Sequence, residues 1–207
     1  MRSIVSFLLS GALASLALGA QPYAALAEVR FDFPEPGRAY VGEVFGDVWL
    51  GFVGSSGQCS FLKLGDKMLA DDVSISGSNS ADTILFADTP THFRLCGESF
   101  PFNPPDLNRK HVFVYGKQGD DFIKAPGWIE AGPGDDQIIA VQGFEPATDG
   151  VVVYAGRGAD VVWSDYRGNV LDGEEGDDTL CAPLSFGRHM KDIAYRCDED
   201  CRNCTEQ

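Results

Sequence analysis

Short apolar runs alternate with Gly- and Asp-rich breaks along most of the chain. In the second half, Val112 to Tyr115, Trp128-Ile129, Val151 to Tyr154 and Val170-Leu171 each lead into such a break. One apolar position follows every break: Ile123, Ile138, Val162 or Leu180. Runs this short, rich in β-branched and aromatic residues and bounded by turn formers, predict strands rather than helices. The unit is strand, turn, strand. Upstream, Val73 and Ile75, a polar break, and Ile84-Leu85-Phe86 predict a first coil of the same kind. Further back, Val41, Val44, Phe45, Val48, Trp49 and Phe52 fall at helical spacing. Gly42, Gly46 and Gly51 weaken that helix, and short strands are the alternative. Pro101, Pro104 and Pro105 exclude a central strand between His92 and Arg109 and predict an excursion loop. Gln142 to Gly150 predicts a second lateral loop. Trp163 to Arg167 reads as a strand end and turn, with a sugar-binding patch as the sharper alternative.

The breaks repeat one phrase. Its copies are Gly116-Lys117-Gln118-Gly119-Asp120-Asp121, Ala131-Gly132-Pro133-Gly134-Asp135-Asp136, Ala155-Gly156-Arg157-Gly158-Ala159-Asp160 and Gly173-Glu174-Glu175-Gly176-Asp177-Asp178. A degenerate copy, Gly77-Ser78-Asn79-Ser80-Ala81-Asp82, has Ser where the others have the second Gly, and no metal is expected there. Glycine admits the left-handed dihedrals of a tight turn, and the Asp brings an anionic oxygen to it. A hard cation such as Ca2+ takes backbone carbonyls and carboxylates, more than one turn supplies. Two turns stacked at strand spacing, about 4.8 Å, together provide them. The expected metal-site residues are Gly119, Asp121, Gly134, Asp136, Gly156, Gly158, Asp160, Gly173, Gly176 and Asp178. Asp120, Asp135 and Asp177 double the carboxylates but are read as facing water. Glycine/aspartate turns with no metal remain the plain alternative.

The phrase resembles the RTX, or haemolysin-type, calcium-binding repeat, whose regular form is G-G-x-G-x-D-x-U-x. The resemblance covers residues 112–181. It implies a right-handed parallel β-helix or β-roll-like solenoid, all-β, with Ca2+ held between successive turns. Two departures stand out. No copy opens on two glycines, and the anchors Asp121, Asp136, Asp160 and Asp178 lie 15, 24 and 18 residues apart rather than in nine-residue tandem. Only Asp160 and Asp178 keep the interval of one full roll turn. Coils of unequal length are therefore expected, with the best site between the third and fourth copies.

Residues 1–27 have the layout of a secretory signal peptide: Arg2, an interrupted apolar stretch from Ile4 to Leu18, and Ala25-Leu26-Ala27 for cleavage. No later stretch is long and apolar enough to span a bilayer. The organisation expected is a leader over 1–27, an N-terminal cap over 28–72, a repeat region over 73–181 and a Cys-rich tail over 182–207. The chain is secreted or periplasmic on this reading. It carries 16 Lys and Arg against 31 Asp and Glu, for a net charge of −15; losing Arg2 with the leader makes it −16. That balance disfavours nucleic acid and anionic membrane surfaces and suits a gatherer of cations. The six cysteines are even in number and predict disulfides in an oxidising compartment. Fifteen connectivities are open to six cysteines; the pairing expected joins Cys59 to Cys96, and Cys181, Cys197, Cys201 and Cys204 among themselves. Zinc at the last four is disfavoured by the compartment. Redox chemistry at Cys201-Arg202-Asn203-Cys204 is disfavoured by the acidic residues beside it.

Neither H-E-x-x-H nor G-x-S-x-G occurs. The leading expectation is a calcium-binding structural or binding module rather than an enzyme. One alternative is a small Ca2+-dependent lyase of acidic polysaccharide, with Lys110, Arg109 or Arg94 as base. Another is an adhesin or matrix component that binds a polysaccharide or cell-surface partner.

Overall fold

Alternation of period two along each apolar run decides the architecture. In Gln137–Ala140, for example, Ile138 and Ala140 are fully buried while Gln137 and Ile139 are not. A strand of this kind buries one face only, so a second sheet must cover it. A computed structural model shows the result. It describes residues 28–66, 72–105, 111–141, 151–164, 170–182, 193–197 and 204–206. The leader, Arg109, Lys110, the stretch 142–150, Asp165 to Arg167 and Cys201 lie outside them.

The described residues are all-β. In chain order the strands are β1 (Glu28–Asp32), β2 (Gly37–Val44), β3 (Asp47–Gly54), β4 (Cys59–Asp66), β5 (Asp72–Ser76), β6 (Thr83–Phe86), β7 (Thr91–Leu95), β8 (Glu98–Phe102), β9 (Val112–Tyr115), β10 (Phe122–Ala125), β11 (Trp128–Pro133), β12 (Gln137–Ala140), β13 (Val152–Gly158), β14 (Val161–Ser164), β15 (Val170–Gly176), β16 (Thr179–Ala182), β17 (Ile193–Cys197) and β18 (Cys204–Glu206). One sheet has the order β1-β5-β9-β11-β13-β15, every neighbouring pair parallel. The other is mixed, in the order β18-β17-β16-β14-β12-β10-β6-β2-β3-β4, parallel from β2 to β17 and antiparallel at both ends. From β9 to β16 the chain visits the two sheets in strict alternation and adds one parallel strand at each visit.

Register stacks like on like. Ile123, Ile138, Val162 and Leu180 are partners across β10, β12, β14 and β16. Val114, Ile129, Val153 and Leu171 do the same across β9, β11, β13 and β15. All eight are fully buried in one continuous core. At the N-terminal end Phe31, Phe33 and Phe52 pack ring on ring, with centroids 4.7 to 5.8 Å apart. β1 and β2 join the same two sheets as the repeats, pairing β5 and β6.

The run from Val41 to Phe52 is the hairpin β2–β3, not a helix. Its tip, Phe45-Gly46, takes positive φ at both residues (55° and 88°), the two-residue turn that antiparallel strands favour. The apparent helical spacing comes from joining two period-two runs through that turn. The expected excursion is itself a hairpin, β7–β8, in a separate two-stranded sheet. Pro101 is tolerated there because neither strand is central. Leu95 and Phe102 of this hairpin are fully buried against the outer side of β2–β3. They sit over two glycines: a Cβ on Gly42 would meet Phe102 Cδ1 at 2.8 Å, and one on Gly51 would meet Leu95 Cδ1 at 2.5 Å.

Ile138→Ala should destabilise the protein by about 2–5 kcal/mol, because it opens a cavity between the sheets. Ile139→Ala, on the half-buried outer face of the same strand, should cost roughly 1 kcal/mol or less. Urea denaturation of the two variants checks the assignment of faces; equal losses would overturn it.

Candidate functional site

The same period of two governs the turn aspartates. Asp82, Asp121, Asp136, Asp160 and Asp178 each stand one residue before a strand: β6, β10, β12, β14 and β16. Two residues later comes a core position, as with Asp121 and Ile123. Asp and Ile therefore share the inner face. All five aspartates are buried, from 1 to 3 % exposed.

Burial obliges these carboxylates to find donors, and the donors are backbone amides of the preceding coil. The Gly37 amide donates to Asp82 Oδ1 at 2.7 Å, Asp82 to Asp121 at 2.7 Å, Asp121 to Asp136 at 2.7 Å, Asp136 to Asp160 at 2.8 Å and Asp160 to Asp178 at 2.9 Å. A second line runs the opposite way. Asp135 donates its amide to Asp120 Oδ1 at 3.0 Å, and Ala159 donates to Asp135 Oδ1 at 2.9 Å. The Asp120-Asp121 and Asp135-Asp136 pairs thus clamp their neighbours in both directions. Asp120 and Asp135 are exposed but are not mere solvent-facing charge. Asp177 begins the last such pair and is exposed.

The other oxygen of the inner column is different. Oδ2 of Asp121, Asp136 and Asp160 is buried and has no hydrogen-bond partner among the described residues. Beside Gly116, Asp121 Oδ2 and the carbonyl oxygen of Ala131 lie against the same point, so a Cβ there would strike both. A buried carboxylate oxygen with no donor calls for a proton or a cation beside it. At Asp82 the Ser78 amide fills the equivalent place, donating to Oδ2 at 2.5 Å. At Gly77 and Gly116 the first residue of the phrase has no Cβ, and Oδ2 of the same turn's aspartate packs on it. The Cβ that Gly173 lacks would meet Asp178 in the same way.

Burial, the largest cause, pushes the Asp121 carboxyl up to about 8, Asp136 to about 7 and Asp160 to about 6. The amide from the preceding coil pulls each back down, and neighbouring aspartates raise it again.

The remaining expected site residues form the turn backbone. Gly119 has φ 115°, and a Cβ there would run into the Ser80-Ala81 backbone. Gly134, Gly156 and Gly158 also have positive φ, and all three face the carbonyl oxygen of the coil before. Gly176 likewise lies against the Gly158 carbonyl. The expected residues from the four copies thus line one corner of the stack. Asp82, the anchor of the degenerate phrase at which no metal is expected, joins them. One rule was missed, at the second place in the phrase: Lys117, Gly132, Gly156 and Glu174 all have positive φ, 79°, 106°, 115° and 66°.

Elsewhere, Arg94 is exposed on β7. The His111 amide and ring lie against Asp72, at 3.0 and 3.4 Å. Cys181 is disulfide-bonded, and the Cys59 and Cys96 sulfurs lie 2.6 Å apart. Compared with known proteins, the chain matches no protein-family model, no curated protein and no solved structure.

The acid column sets a pH dependence in metal-free buffer. As pH rises, the unfolded carboxyls ionise near 3.8, whereas Asp121 holds its proton in the fold until about 8. The unfolded state is stabilised first, so stability should fall from about pH 4 through about pH 8. Melting temperatures in EGTA across that range test it, and Asp136→Asn should flatten the curve. Lys117→Gly should stabilise by roughly 0.5–1 kcal/mol, since a left-handed residue with a Cβ costs more than glycine does. Chemical denaturation reads this directly; a loss would refute the assignment.

Proposed function

We propose that this chain is a secreted or periplasmic calcium-binding protein of the haemolysin-repeat type. In this reading its alternating parallel strands form a right-handed β-helix or β-roll-like solenoid, and it acts as a structural or binding module. The observation that carries it is the column of buried Oδ2 atoms on Asp121, Asp136 and Asp160 that no donor among the described residues satisfies. Carboxylate and carbonyl oxygens are the donor chemistry of a hard cation. Among the described residues no group of three or more His, Cys, Asp or Glu side chains gathers to hold a metal. The holding set would therefore be carboxylates of adjacent coils with turn carbonyls: Asp121, Asp136, Asp160 and Asp178, and the backbone around Gly119, Gly134, Gly156, Gly158, Gly173 and Gly176. Bound Ca2+ would neutralise the anionic column. The protein supplies the rest: the inter-coil amides hold each Oδ1, the small first residue of each phrase leaves room for Oδ2, and the core keeps successive turns in register. Because the cation favours the folded state, binding and stability are linked.

Calorimetric titration of the oxidised chain with Ca2+, up to about 10 mM to cover extracellular affinities, tests the reading. Saturable heat and a raised melting temperature are expected. Asp136→Asn and Asp160→Asn keep an acceptor for the inter-coil amide but lose the charge. Each should weaken binding roughly tenfold or more while raising stability in EGTA. A protein that melts identically in Ca2+ and EGTA and shows no heat would sink the proposal, leaving a protonated acid ladder as the resting state.

A further inference from the structure

We propose that Cys59 and Cys96 form a single oxidation site whose closure latches the β7–β8 hairpin to the outer side of the β2–β3–β4 sheet. Cys59 opens β4 and is half-buried; Cys96 is exposed. Cys96 and Gly97 are the two-residue tip of the hairpin, with φ 55° and 83°. That turn carries the Cys96 sulfur to 2.6 Å from the Cys59 sulfur.

The hairpin is held unequally along its length. At its base, Asn103 and Glu43 exchange backbone hydrogen bonds of 2.9 and 2.8 Å. Its middle rests on side chains: Leu95 and Phe102 over Gly51 and Gly42, Phe93 against Tyr40 at 4.3 Å, and Phe100 against Phe61 at 5.2 Å. At the tip the two cysteines meet. A bond there would close the hairpin at the end opposite its backbone anchor. It would also hold down the apolar patch of Val44, Ala87, Leu95 and Phe102 beneath.

The oxidant is a disulfide-bearing thiol compound, R–S–S–R. One cysteine, as thiolate, attacks a sulfur of R–S–S–R and releases R–S⁻, giving a mixed disulfide. The second cysteine, as thiolate, attacks the protein sulfur of that mixed disulfide and releases the other R–S⁻. One protein S–S bond forms, two protons leave the cysteines, and R–S–S–R is reduced to two R–SH.

The test treats the full chain with oxidised glutathione or with dithiothreitol, alkylates it, and maps tryptic peptides without reduction. Oxidation should join the peptide 39–63 to the peptide 95–109. It should also slow hydrogen exchange of the β7–β8 amides by roughly tenfold or more, and Cys96→Ser should abolish that slowing. Leu95→Ala loosens the tip without touching sulfur and should slow the cross-linking. Cysteines that stay free or carry one glutathione each, an unchanged exchange rate, or cross-linking in Leu95→Ala as fast as in the parent would each overturn the latch.

Discussion

A chain that alternates between two parallel sheets must satisfy the backbone in the turns between them as well as within its strands. Strand amides find partners automatically in the neighbouring coil, but turn amides do not. Here one turn amide per coil is taken by a buried aspartate of the next coil, from Gly37 through Asp160, at 2.7 to 2.9 Å. A carboxylate is a stronger acceptor than a carbonyl, and its Oδ1 reaches one coil back along the stack. Losing one rung would leave a buried donor unpaired, a penalty of about 1–3 kcal/mol. The Asp-Asp dipeptides strengthen it by running a second line in the opposite direction.

The same arrangement is electrostatically costly. Each aspartate offers two oxygens and the preceding coil supplies one amide. At Asp82 a local turn amide meets the second oxygen; at Asp121, Asp136 and Asp160 nothing among the described residues does. Stacked anions in a poorly hydrated corner repel and resist ionisation, as the raised carboxyls show. Binding chemistry and fold stability therefore meet in the same atoms.

The ladder also explains how coils of unequal length share one register. Successive anchors are 15, 24 and 18 residues apart, yet β10, β12, β14 and β16 pair without a shift. The corner with the Gly/Asp phrase keeps its length from coil to coil. The extra residues enter at the other corner, between β12 and β13 and between β14 and β15, and the β7–β8 hairpin enters there too. One corner is held by hydrogen bonds that tolerate no insertion, and the other is free to vary.

Much of this was legible in the residues themselves. The strand–turn–strand units follow from short apolar runs and Gly/Asp breaks, and the inward columns follow from period two. The inward direction of Asp121, Asp136, Asp160 and Asp178 was equally available, since each lies two residues before a core position. Local spacing left helix and short strands open between Val41 and Phe52, because a hairpin with a two-residue turn imitates helical periodicity; the structure has the strands. Other features belong to the fold alone. That Gly37 donates to Asp82, that Ser78 completes Asp82 while no described residue completes Asp136, and that Lys117 and Glu174 turn left-handed all depend on packing. Sequence by itself determined the strands and turns of the repeated units, because those preferences are local. Only the tertiary structure decided which carboxylate oxygen found a donor, because that donor belongs to another coil and only the packed register brings it within reach.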